Sequence, residues 1–196
     1  MKQVGETLKV LSGMEFMTKR YYEVNAKFLE EHPEITGIIL GGCNSNWDDI
    51  YFDIYEGEME MIREAKVPIL GICAGHHLMA IAYGGGVRRA DFGHEERFFT
   101  EMQVVKKSLL TEGLSENPYV FEYHYCAVYE LPENCELLMA SPKTKIQSFK
   151  VKGENKFGVQ FHPELDVEAF DPMFKASDPN RANGNAILKN FLSICE

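Results

Sequence analysis

A short apolar run, Val67-Pro68-Ile69-Leu70, stops at Gly71 and passes through Ile72-Cys73-Ala74-Gly75 into the spacing of Leu78, Met79, Ile81 and Ala82. The first part reads as a buried strand and the second as a helix, so Cys73 falls at a sharp strand-to-helix junction. A glycine stands two residues before it and another two residues after it, where strained backbone and close approach are tolerated. This is the arrangement of a nucleophile elbow with sulfur in place of the serine oxygen. The amide N–H groups at the start of the following helix favour the thiolate, the reactive form. Taken alone, the same pattern also describes a buried strand that ends in an inert cysteine.

A second segment, Phe157-Gly158-Val159-Gln160-Phe161-His162-Pro163-Glu164, is a further short strand that ends in His-Pro-Glu. Pro163 biases His162 toward extended backbone angles, and in an extended segment residues i and i+2 point to one side. His162 and Glu164 therefore suit a base and its orienting carboxylate, the pair that a cysteine nucleophile needs. By itself, the bland alternative is a surface turn.

Together, the G-x-C-x-G elbow, the later H-P-E and the earlier Gly41-Gly42 after a strand resemble the class I (triad) glutamine amidotransferases, in register over about residues 35 to 164. The resemblance implies a flavodoxin-like α/β fold with a mostly parallel central sheet flanked by helices, and extra antiparallel strands in the second half. It implies hydrolysis of the side-chain amide of glutamine through a cysteine thioester, with ammonia passed to a synthetase. Cys73 then corresponds to the nucleophile, His162 to the base and Glu164 to its partner. Backbone N–H groups at Gly42 and Ala74 correspond to the oxyanion hole, where glycine lets the main chain approach a developing negative charge. Gly41, Gly75, His77, His124 and Tyr125 fall at substrate-binding positions, and neither a cofactor nor a metal is implied.

The chain departs from the family pattern in three places. Two strands and a helix usually precede the glycine turn, whereas one strand (6 to 12) and one helix (15 to 31) are expected here, so the N-terminal strand is missing or rearranged. Cys43 follows the glycine pair where proline is common. The fourth residue after the nucleophile is His77 instead of glutamine, and imidazole differs in reach and in charge. A metal is a poor explanation of His76-His77, because adjacent helical residues do not face each other.

The remaining chain reads as alternating elements. Residues 35 to 40 form a strand, 52 to 65 an amphipathic helix, and Gly84-Gly85-Gly86 stops the elbow helix. Strand-like runs follow at 99 to 105, 118 to 130, 135 to 140, 145 to 151 and 157 to 161, the last two joined by a Lys152–Asn155 turn. Residues 165 to 181 are irregular and 186 to 194 form a closing helix. Trp47 reads as a loop anchor, and His32 and His94 as solvent-exposed.

At 196 residues a single domain, 1–196, is expected. The net charge of −10 argues against a nucleic-acid or anionic-membrane surface. No apolar stretch approaches the roughly 20 residues that span a bilayer. Five widely spaced cysteines suit a reducing cytoplasm better than a disulfide framework.

The leading expectation is a glutaminase acting on L-glutamine with a synthetase partner in trans. A hydrolase of γ-glutamyl amides or peptides with the same fold is the alternative that His77 keeps open. A non-catalytic binding or regulatory protein is the third, and the three filled catalytic positions speak against it.

Overall fold

The structure, a computed structural model, describes residues 15–43, 52–90, 99–165 and 181–196. Six strands form its principal sheet in the order β1 (Ile38–Leu40), β2 (Ile69–Ile72), β10 (Lys156–Val159), β9 (Ser148–Val151), β8 (Cys135–Ala140) and β5 (Gln103–Val104). β1, β2 and β10 run parallel, while β9, β8 and β5 pair antiparallel. The parallel half, flanked by helices, and the antiparallel addition match the expected α/β architecture. Two short pairs complete the strands, β3 (Gly86–Arg89) with β7 (Cys126–Glu130) and β4 (Phe99–Glu101) with β6 (Tyr119–Phe121).

The parallel strands require crossover connections, and helices supply them. Between β1 and β2 lies α2 (Glu56–Glu64), which buries Met59, Met61 and Ile62 against the sheet. A single turn of 3-10 helix, Phe52–Tyr55, precedes it. After β2 comes α3 (Ala74–Ala82), apolar on nearly every side and almost wholly buried. Its C-terminus is closed by Gly84 at φ +84°, a conformation that costs glycine little. Gly84 N–H donates to Ile81 and Gly85 N–H to Ala80, the paired bonds that end a helix with a left-handed residue. α4 (Arg181–Cys195) places Ile187, Leu188, Phe191 and Leu192 against the opposite face of the sheet, with Leu70, Phe157, Val159 and Phe161. Phe149, Phe157 and Phe161 are fully buried, and each such side chain contributes roughly 1.5–3 kcal/mol relative to exposure.

Buried polar contacts tie these layers together. Lys156, at the start of β10, buries its stem and reaches the Arg63 carbonyl at 3.1 Å, the Tyr83 hydroxyl at 3.0 Å and Glu154 at 2.6 Å. The Tyr83 hydroxyl donates in turn to the Ile62 carbonyl. One ammonium thus joins α2, the end of α3 and the β9–β10 turn.

Several local expectations change. Residues 15 to 31 are not one helix: Tyr21–Glu23 makes a 3-10 turn, and α1 spans only Ala26–Glu31. Asn25 is the reason, since its side chain accepts from Phe28 N–H and sets the helix start. The run 99 to 105 divides at the buried Met102 into β4 and β5, in different sheets. The run 118 to 130 likewise divides into β6 and β7, separated by an inward turn of Glu122 and His124. β3 was missed because its glycine start reads as a stop signal. The closing helix begins earlier than expected, at Arg181. His32 is half-buried, with Nδ1 2.9 Å from Glu34 and its ring against Phe28. The strand expected at 6 to 12, Trp47 and His94 lie outside the described residues.

Candidate active site

Register brings three distant segments to one edge of the sheet. Leu40 pairs with Gly71, and Val159 pairs with Ile72, so the residues that follow β1, β2 and β10 emerge side by side. In open parallel sheets this carboxyl edge is where ligands bind. The Cys73 N–H donates to the Val159 carbonyl at 2.9 Å, which fixes the junction directly to β10.

Cys73 has φ 51° and ψ −101°, and it is the one non-glycine residue with positive φ among those described. Such strain persists only where surrounding structure enforces it. The enforcement is visible at the flanking glycines. A Cβ on Gly71 would stand 2.6 Å from the Gly75 carbonyl oxygen and 2.7 Å from Met79 Sδ. A Cβ on Gly75 would collide with the Leu40 carbonyl and side chain. The turn is therefore compressed between β1 and its own helix. The His77 N–H donates to the Cys73 carbonyl at 3.0 Å, the first bond of α3, so Cys73 caps the helix and lies in the field of its N-terminus.

His162 Nδ1 lies 2.8 Å from Glu164 Oε1, and Nε2 lies 3.2 Å from the Tyr123 carbonyl. Cys73 stands beside the ring, across Gly42. Burial works against charge on the ring, yet Cys73 and Glu164 beside it favour the charged form, outweigh burial and raise its pKa to about 10. An imidazolium donates at both nitrogens, which suits a carboxylate on one side and a carbonyl on the other. Gly42 closes the third side: a Cβ there would lie 3.2 Å from His162 Cε1 and 3.5 Å from Cys73 Cβ. Cys73, His162, Glu164, Gly42 and Ala74 thus meet in one place. A thiol beside a protonated imidazole at a helix N-terminus is equipped for nucleophilic attack.

His77 is buried on α3, with Nε2 2.8 Å from Gln160 Oε1, and it also meets the Cys126 backbone. Burial pushes its pKa down to about 4, so it is neutral at pH 7. His76 packs on the Phe149 ring, over Gly158 of β10, and burial holds its pKa well below the ordinary value. His124 is buried, and Tyr125 is exposed with its ring edge-on to Tyr123. A groove of about 1200 Å³ runs beside β1 and is bordered by Gly41, Gly42, Ala74 and Gly75. Neither Cys73 nor His162 lines it, so it adjoins the site without being the place where thiol and imidazole meet. Among the described residues no group of three or more His, Cys, Asp or Glu side chains is arranged to hold a metal ion. The Tyr123 carbonyl is the partner that sequence reasoning missed, because a main-chain acceptor leaves no signature in residue identity.

The model of the family described as glutamine amidotransferase class-I matches residues 12–177, and the chain belongs to that family. A subunit of the glutamine-hydrolyzing GMP synthase of Methanocaldococcus jannaschii is 34% identical over 169 residues, covering 85% of this chain and 78% of that protein. The glutamine-hydrolyzing GMP synthase 1 of Bacteroides thetaiotaomicron is 33% identical over 86% of this chain, which matches 30% of that longer protein. In fold, a crystal structure of a GMP synthase subunit from Thermoplasma acidophilum superposes with a TM-score of 0.81 at 24% identity, covering 98% of this chain and 86% of that one.

Proposed function

We propose that the chain is the glutamine-hydrolysing subunit of a two-part GMP synthase, working through Cys73, His162 and Glu164. The observation that carries the reading is the imidazole of His162, fixed by Glu164 and bordering the same Gly42 as Cys73 at the carboxyl edge of the sheet. The Cys73 thiolate attacks the side-chain carboxamide carbon of L-glutamine, and N–H groups at Gly42 and Ala74 take the oxyanion. The His162 imidazolium gives its proton to the leaving nitrogen, which departs as ammonia and leaves a thioester. The neutral imidazole then takes a proton from water as its oxygen attacks that carbonyl, and glutamate leaves as sulfur recovers its electron pair. Glu164 keeps the ring oriented and stabilises the imidazolium between steps.

The relatives named as single subunits of GMP synthase support an acceptor carried on a separate chain, and the match to 30% of a longer GMP synthase supports a synthetase as that acceptor. No helix among the described residues is long and apolar enough to cross a membrane. The free cysteines suit a reducing compartment such as the cytoplasm.

The test is ammonia release from L-glutamine, with and without the partner synthetase, beside a Cys73→Ala control. Release that vanishes in the control is expected; release that persists overturns the assignment of Cys73. His77 favours a second reading, because its ring is committed to Gln160 in the interior. Turnover of γ-glutamyl amides in place of glutamine would establish that hydrolase activity instead.

A further inference from the structure

Glu122 and His124 form a second histidine–carboxyl pair, on a segment that the proposed chemistry does not use. They lie between β6 and β7, where side chains alternate: Glu122 and His124 turn inward with no side-chain exposure, while Tyr125 faces out. His124 Nε2 is 3.3 Å from Glu122 Oε1, and Nδ1 is 3.0 Å from the Cys126 carbonyl. Gln147 Nε2 donates to the same Glu122 oxygen and lies 3.2 Å from Ser141 Oγ. The imidazoles of His76 and His77, on α3, are near enough to His124 to interact with it electrostatically, and His77 likewise with His162.

The main chain of this segment grips His162 twice. The Phe121 carbonyl accepts the His162 backbone N–H at 2.8 Å, and the Tyr123 carbonyl meets Nε2 at 3.2 Å. Both carbonyls flank Glu122. Meanwhile Glu122 Oε2 and Gln147 Oε1 are buried without a hydrogen-bond partner among the described residues. Apolar side chains of similar volume would fill this space at lower cost in desolvation. The costly arrangement stands directly behind the carbonyls that hold the imidazole.

We infer that Glu122 and His124 are positioning residues: by fixing the 121–123 main chain they hold His162 toward Cys73. The inference rests on the proposed role of those two residues. Displacing a reacting group by about 1 Å costs on the order of 100-fold in rate, so loosening this clamp has a kinetic signature.

The test uses the full chain and iodoacetamide, with alkylation at Cys73 followed by peptide mass spectrometry across pH. Glu122→Gln is isosteric, and His124→Ala removes the ring. Each is expected to slow alkylation of Cys73 at pH 6.5 by roughly 10–100-fold. The double variant is expected to be no slower than the slower single one, because the pair acts as a unit. Profiles that superpose on the wild type, accompanied only by a lower melting temperature, would overturn the inference and leave the pair a packing role. Wild-type alkylation at Cys73 no faster than at the exposed Cys43 would instead overturn the reading of Cys73, and the inference with it. In a second measurement, the ring N–H resonance of His162 is expected to lose protection from exchange in Glu122→Gln. Unchanged protection there counts against the clamp even where His124→Ala is too unstable to assay.

Discussion

Oε1 of Glu164 lies 2.8 Å from Nδ1 of His162, two residues away, and this contact joins the neighbouring Cys73 in keeping the imidazole charged against the burial that opposes it. Glu164→Gln removes a charge while keeping the shape. We expect the His162 pKa to fall from about 10 toward its ordinary value, and glutaminase turnover to drop on the order of 100-fold with KM little changed. Steady-state ammonia release and the alkylation profile of Cys73 check both parts. An unchanged profile would mean that Glu164 does not hold the proton.

The same ring makes stability depend on alkaline pH. Its pKa is raised from 6.5 in the unfolded chain to about 10 in the folded one, so between these values the folded state holds a proton that the unfolded state has lost. Its contribution is complete below 6.5 and disappears as pH rises through about 10. Urea midpoints are therefore expected to decline from pH 7 to 10 in the wild type and to decline less in Glu164→Gln.

His77 has the opposite sign. Its pKa is lowered from 6.5 to about 4 by burial, so in this window the unfolded state gains the extra proton. Stability is then lost as pH falls from 6.5 to 4. The gap between those two values corresponds to about 3 kcal/mol. His76, displaced in the same direction, adds to the loss. A His77→Gln variant is expected to show a shallower fall of urea midpoint between pH 7 and pH 4.5. An equally steep fall would assign the acid sensitivity elsewhere.

Much of this arrangement was legible in the chain. Gly71, Cys73, Gly75 and the apolar spacing beyond them specify strand, turn and helix locally, and the structure adds that the glycines are needed because Leu40 and Met79 crowd them. The β9–β10 turn was readable for the same reason, since Lys152–Asn155 has local turn chemistry. The divisions at Met102 and at Glu122–Tyr125 were not. Each run keeps strand-like residues throughout, and only the tertiary choice of partner strands decides where one sheet is left and another joined. The helix expected at 15 to 31 failed because apolar spacing ignores the cap at Asn25. His77 sits on the correct helix, but sequence spacing shows neither Gln160, 83 positions away, nor the burial that neutralises the ring.

Strain at Cys73 yields the last prediction. A residue held at φ 51° and ψ −101° costs of order 1–3 kcal/mol unless it is glycine. Cys73→Gly relieves that cost, though it loses a small buried side chain and gains unfolded-state entropy. Cys73→Ala keeps the strain and also loses the sulfur. We therefore expect both variants to be inactive, with Cys73→Gly more stable than Cys73→Ala by about 1 kcal/mol, the reverse of the usual ranking within helices and strands. Thermal unfolding of the two variants side by side measures the difference. Equal stability, or alanine the more stable, would show that the turn carries little strain and that the glycines at 71 and 75 answer only to crowding. If glycine wins, the chain gives up stability at the one position where its sulfur must stand against His162, which is what a reacting side chain requires and a packing cysteine does not.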